Sequence, residues 1–171
     1  MTSGSDVNLE ELAERLGPDL LNYFVRRVGD PADAADLLGD TLLVICRRSR
    51  SIPEDADEAR LWAFGVARKT LAGRRRTIRR RTALQERLRA ELTSARSSAE
   101  PASNDALHAA LANLDPLDRE IIRLVHWEGF AQEEVATTLK RPAGTIRSRY
   151  TRARAALRTQ LGELRTGAER R

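Results

Sequence analysis

The sequence predicts an all-α protein: two small helical domains joined by a flexible linker, the C-terminal one containing a helix-turn-helix. Three observations carry that expectation. Apolar residues recur at intervals of three and four, Ala, Leu, Arg and Glu abound, and β-branched alternation is scarce over the 171 residues. The pair Asp-Pro stands ahead of an apolar periodic run at Asp30-Pro31 and again at Asp115-Pro116. Aspartate is a good N-cap, and proline suits the first helical position because its missing N–H has no partner there. Finally, charge is segregated. Residues 1–73 hold 13 acidic and 9 basic residues, residues 74–98 hold 2 and 9, residues 99–139 hold 8 and 2, and residues 140–171 hold 2 and 10. Two acidic blocks each end in a basic one, as expected of two modules that each present an edge to a polyanion.

Residues 1–6 are small and polar and read as a frayed end. The first helix starts near Asn8 with Leu9, Leu12 and Leu16 on one face; Gly17-Pro18 is a candidate bend or break. Leu20, Leu21, Phe24, Val25 and Val28 continue the face to Gly29, a C-cap candidate. The second helix runs from Ala32 to Arg48. Its segment Leu42-Leu43-Val44-Ile45-Cys46 is apolar almost all round and reads as the buried core of the first module. Asp33, Asp36 and Asp40 form one acidic edge. By spacing alone this edge is a solvated face with charge well placed near a helix N-terminus, and a docking face is the alternative. Residues 49–58 read as a polar loop, and a long helix follows from about Ala59 to Arg81 or beyond. Residues 82–104 read as a helix remnant fading into a Ser/Ala/Pro-rich linker, which places the domains at 1–81 and 105–171.

In the second domain, Leu107, Leu111 and Leu114 mark a short helix. Leu117, Ile121, Ile122, Leu124 and Val125 mark the next, closed by Gly129 between Trp127 and Phe130. Gln132 to Leu157 then reads as two helices across a tight turn. Val135, Ala136 and Leu139 share a face of the first, and Pro142 interrupts the pattern. Ile146, Tyr150, Ala153 and Leu157 form an apolar stripe on the second. Arg147, Ser148, Arg149, Arg152 and Arg154 lie between the stripe positions. A basic amphipathic helix is often only a solvated face; the helix-turn-helix spacing turns the reading towards a DNA major groove, where arginine bonds guanine or phosphate. Residues 162–171 read as a loose polar tail.

The third helix carries Arg68, Lys69, Arg74, Arg75, Arg76, Arg79, Arg80 and Arg81. So much positive charge near one helix end calls for a polyanion, and such a grip weakens steeply with salt. No catalytic constellation is legible: His108, His126 and Cys46 lack metal-ligand spacing, and there is no Gly-rich phosphate loop. We therefore expect a non-enzyme with no metal and no cofactor. Cys46, the one cysteine, reads as a buried thiol. No apolar run approaches the roughly 18 residues that span a bilayer, and the N-terminus does not read as a signal peptide, so a soluble cytoplasmic protein without membrane insertion is expected.

The stretch ALANLDPLDREIIRLVHWEGFAQEEVATTLKRPAGTIRSRYTRARAAL, GTIRSRYTRAR above all, resembles the promoter −35 binding region of bacterial RNA polymerase sigma factors. VRRVGDPADAADLLGDTLLVICRR with RLWAFGVARKTLAGRRR resembles their core-binding and −10 binding region. The two in this order resemble the extracytoplasmic-function type. This resemblance implies that Asp33, Asp36, Leu37, Leu38, Asp40 and Thr41 dock on the coiled coil of the polymerase's largest subunit. It implies that the loop at 50–58 captures a flipped base of the melted −10 element. Arg60, Trp62, Lys69, Arg74, Arg75 and Arg76 would then support that loop and grip the strand. Thr145, Arg147, Ser148, Thr151 and Arg152 would face the −35 major groove, with Arg149 and Arg154 on phosphates. RNA polymerase core and promoter DNA are the implied partners, and an anti-sigma factor is a third candidate. A stand-alone helix-turn-helix regulator is the alternative reading, but it leaves the acidic edge unexplained. The chain departs from the family pattern at Gly39, Lys69, Ala131, Lys140 and Tyr150, which points to an unusual promoter preference or a divergent subgroup.

Overall fold

A computed structural model of the chain describes residues 9–90 and 105–168, and among these every regular element is helical. The chain divides into two compact units, residues 1–96 and 97–171. The frayed end expected at 1–6, most of the expected linker and the last three residues lie outside the described residues.

In the first unit, α1 (Leu9–Val28), α2 (Pro31–Arg47) and α3 (Ala56–Ala90) pack against one another. Gly17-Pro18 does not break α1. Pro18 is exposed, while Leu12, Leu16, Leu20, Tyr23 and Phe24 are buried along one face. An interior proline costs about 3 kcal/mol, and each large apolar side chain buried returns about 1.5–3 kcal/mol, so packing outweighs the breaker. Tyr23 sets its ring edge-on to Phe24 and Phe64, with centroids at 5.2 and 5.5 Å. The Arg27 guanidinium lies 3.6 Å from the Tyr23 ring centroid. Gly29 ends α1 at φ +77°, with its N–H on the Val25 carbonyl. Asp30 then caps α2 as expected, its Oδ1 accepting from the N–H groups of Ala32 and Asp33 at 2.7 and 3.0 Å.

The buried stripe of α2 is Ala34, Leu37, Thr41 and Ile45. This corrects the expectation that the whole 42–46 run is core: Leu43 is 55% exposed and the Cys46 thiol is exposed. Five consecutive apolar residues wrap the full circumference of a helix, and a helix with two neighbours buries only part of it. Gly39 sits mid-helix on the open side, and a Cβ added there meets nothing within 4 Å. Gly39→Ala is expected to stabilise the first unit by about 0.5–1 kcal/mol, read as a raised thermal midpoint. The expected 49–58 loop is shorter: a 3-10 turn at Ser49–Ser51, a buried Ile52, and Asp55 capping α3 through the N–H groups of Asp57 and Glu58. Because α3 continues to Ala90, the first residues assigned to the linker are helix.

The second unit holds α4 (Asp105–Ala112), α5 (Pro116–His126), α6 (Gln132–Leu139) and α7 (Ala143–Ala168), the last extending into the expected loose tail. Asp115 caps α5 by accepting from the Leu117 N–H at 2.9 Å. Arg119 closes the end of α4, donating to the carbonyls of Leu111 and Leu114 at 2.7 and 3.1 Å. The core joins Ala110, Leu111 and Leu114 to Ile122, Ala153 and Leu157, with Trp127 and Tyr150 packed against it. Gly129 at φ +71° turns the chain so that the Phe130 N–H reaches the Leu124 carbonyl and the Phe130 ring is buried.

Candidate nucleic-acid and partner interfaces

The helix-turn-helix is α6, a turn and α7. Val135, Ala136 and Leu139 of α6 and Ile146 of α7 are all buried, which holds the two helices together and fixes which side of α7 faces out. Lys140 ends α6 in the left-handed region at φ 52°, ψ 52°, where glycine is usual and a side chain is strained. The N-terminus of α6 has half a capping box: Ala131 offers no side-chain acceptor, but the Glu134 carboxylate accepts the Ala131 N–H at 2.6 Å.

On α7, Ile146, Ala153 and Leu157 are buried, and Thr145, Arg147, Ser148, Thr151, Arg152 and Arg154 are all exposed. The exposed residues form two adjacent rows, Thr145-Ser148-Arg152 and Arg147-Thr151-Arg154, each with successive steps of three and four. Their hydroxyls and one guanidinium are steadied along the helix: Ser148 Oγ donates to the Thr145 carbonyl at 3.1 Å, Thr151 Oγ1 to Arg147 at 3.0 Å, and Arg152 Nε to Ser148 at 3.4 Å. The result is a cationic, hydroxyl-bearing face of one helix, backed by a packed core. Such a face is complementary to base edges and phosphates.

Arg149 departs from its expected place. It is half-buried, and its Nη1 donates to Asp118 Oδ1 at 2.7 Å and Asp115 Oδ1 at 3.1 Å. It ties α7 to the start of α5. The Leu117 N–H, followed by the Asp118 N–H and the Arg149 guanidinium, holds the Asp115 carboxyl below the ordinary aspartate value. A lowered folded-state pKa contributes stability above the ordinary value and loses it as pH falls through the lowered one. Asp115→Asn is therefore expected to flatten the loss of stability of this unit below about pH 4, measured by denaturant melts across that range. Tyr150 reaches sideways: its ring stacks on His126 with centroids at 5.9 Å, and its Oη lies 3.2 Å from His126 Nε2.

In the first unit, the structure divides the residues expected to dock on the polymerase. Leu37 and Thr41 are fully buried, Thr41 Oγ1 donating to the Leu37 carbonyl at 2.7 Å, so these two build the core. Leu38 is half-buried, and Asp36 and Asp40 are exposed. Leu43 and Arg47, also exposed, continue the Asp36-Asp40 row by steps of three and four. Leu43 was hidden in an all-apolar run; only packing shows which of those residues face out.

The basic residues of α3 are likewise sorted. Arg60 is half-buried, with Nε 3.8 Å from Asp19 Oδ2 and its guanidinium 5.2 Å from the Phe64 ring centroid. Trp62 is half-buried, and Lys69, Arg75 and Arg76 are exposed. Arg75 Nη2 donates to the Arg27 carbonyl at 3.3 Å. Arg74 turns back to α2 and pairs with Asp33 and Asp36. Beside the turn that precedes α3, Glu11, Arg15, Pro53, Glu54, Ala56 and Ala59 line an open cleft of about 200 Å³. The sequence carried no signal for it, since α1 and the turn are about forty residues apart.

Among known proteins, residues 12–82 match the family model of Sigma-70 region 2, and residues 104–157 match that of Sigma-70, region 4. The chain is 32% identical over 154 residues to the ECF RNA polymerase sigma factor SigL of Mycobacterium tuberculosis, covering 85% of this chain and 84% of that one. It is 32% identical over 164 residues to the RNA polymerase sigma-E factor of Streptomyces antibioticus, covering 94% and 88%. The fold is that of the sigma factor RpoE, solved in complex with the anti-sigma factor NepR from Bartonella quintana (TM-score 0.70, 23% identity, 91% of this chain and 97% of that one). It is also that of CnrH, solved in complex with the cytosolic domain of CnrY (TM-score 0.63, 24% identity, 94% and 92%).

Proposed function

The chain belongs to the sigma-70 family of RNA polymerase sigma factors, of the extracytoplasmic-function type, which direct transcription initiation, and from that premise we propose how its residues divide the task. The α2 row Asp36, Asp40 and Leu43 docks on the coiled coil of the polymerase's largest subunit, its carboxylates meeting cations and Leu43 filling an apolar contact one turn beyond them. The cleft beside the 49–55 turn receives a flipped −10 base, while Lys69, Arg75 and Arg76 track the melted strand. Thr145, Arg147, Ser148, Thr151 and Arg152 read the −35 major groove, and Arg154 holds a phosphate. The chain works in the cytoplasm and supplies recognition without chemistry of its own. Because RpoE was solved with an anti-sigma factor, a protein of that kind is the third partner in this reading.

The observation that carries the reading is the sidedness of α7: a buried apolar stripe and, opposite it, an unobstructed face of arginines and hydroxyls. The test mixes the pure chain with sigma-free core polymerase and maps transcription starts on a genomic fragment library, with an Asp36→Arg, Asp40→Arg variant alongside. Defined new starts that vanish with the variant are expected. Absence of core binding and of transcription by the inhibitor-free chain would leave a stand-alone helix-turn-helix regulator.

A further inference from the structure

Arg74 belongs to two faces at once. By sequence it opens the arginine run of α3, yet its guanidinium lies against α2, bonding Asp33 Oδ1 through Nη2 and standing 3.7 Å from Asp36 Oδ2 through Nη1. Its neighbours do otherwise: Arg75 bonds a backbone carbonyl of α1 and Arg76 is exposed. The triad is open to water, with side-chain exposures of 32% for Arg74, 47% for Asp33 and 69% for Asp36. Ion pairs this exposed contribute little to folding stability and exchange partners readily. Asp40, one turn along, is also exposed, and no described side chain pairs with it.

A guanidinium fork bound to carboxylates is not available to a phosphate, and the same carboxylates cannot meet a second cation at full strength. We propose that Arg74 is a latch between the docking edge of α2 and the nucleic-acid grip of α3. In the free chain it is held by Asp33 and Asp36. A cationic partner helix that takes those carboxylates releases Arg74 to a DNA phosphate. By linkage, a phosphate that takes Arg74 uncovers Asp33 and Asp36 for the partner to the same extent. The latch rests on the reading that α2 docks on a cationic helix and α3 on DNA, and it makes the two bindings reinforce one another. Arg74 thus acts as a positioning residue in the free chain and as a DNA contact only after release.

The test measures binding of the full chain to a fluorescein-labelled single-stranded DNA oligonucleotide over a series of salt concentrations, without polymerase. Arg74→Gln alone should change the affinity less than twofold, whereas Arg76→Gln should weaken it several-fold and flatten the log–log salt slope by about 0.7, one phosphate's worth. The Asp33→Asn, Asp36→Asn variant, with the latch undone, should bind several-fold tighter and with a slope steeper by about 0.7. In the Arg74→Gln background that gain should shrink to the general effect of removing negative charge, calibrated per carboxylate by Asp40→Asn. If Arg74→Gln weakens the free chain as much as Arg76→Gln, or the aspartate variant gains equally in both backgrounds, the latch is wrong. Thermal melts confirm that each variant is folded. Since no polymerase is present, failure of the latch is read apart from failure of the docking assignment, which the transcription assay reports.

Discussion

Alanine at both Arg147 and Arg152 is expected to reduce initiation at the promoter this chain selects by about a hundredfold, with the protein still folded. Both side chains stand on the exposed face of α7, and neither is used in the core of the second unit. A bidentate arginine–guanine contact is worth about 1–3 kcal/mol, so losing two gives about 3 kcal/mol, or two decades in occupancy. Run-off transcription with core polymerase measures the loss, and the thermal midpoint should stay within experimental spread of the parent. Changing the −35 base pairs should cost the parent chain about as much as it costs to remove the arginines, and should cost the variant far less. A loss equal on every DNA sequence would instead place both residues on phosphates. Arg149→Ala is expected to behave differently: it breaks the ties to Asp115 and Asp118 and so lowers the stability of the unit without changing base preference.

Leu37→Ala is expected to destabilise the first unit by about 2–5 kcal/mol, a large share of the about 5–15 kcal/mol that holds a typical domain folded. Leu37 is fully buried beside Ala34, Thr41 and Ile45, so truncating it leaves a cavity. Denaturant melts give the size of the effect. The comparison that locates its cause is Leu37→Met, which keeps the volume and is expected to cost less than about 1.5 kcal/mol while retaining polymerase binding. Asp40→Arg should do the reverse, leaving the melt unchanged and removing polymerase binding. If Leu37→Met lost polymerase binding while remaining as stable as the parent, the side chain would be a direct contact despite its burial.

Much of this architecture was legible from local chemistry. Asp30-Pro31 and Asp115-Pro116 start α2 and α5 because cap and proline act within a few residues of themselves. Gly29 and Gly129 take positive φ where the sequence placed helix ends. The stripe Ile146, Tyr150, Ala153, Leu157 packs inward because a single period defines it. Periodicity could not decide the sidedness of Leu42 to Cys46, where every position is apolar. The local breaker signal at Gly17-Pro18 was overruled by the burial of Leu16, Leu20 and Phe24 around it.

The sequence alone therefore determined the helices, the caps of α2 and α5, the two-unit order, the family and the basic face of α7, because each is written in neighbouring residues or in a spacing of three and four. Tertiary structure alone decided which of those residues are free to act. Leu37 and Thr41 are taken up by the core, Leu43 is turned to solvent, and Arg149 and Arg74 are engaged by carboxylates 31 to 34 and 38 to 41 residues away. Such engagement depends on how helices pack across a core, a distance along the chain over which no local pattern carries information.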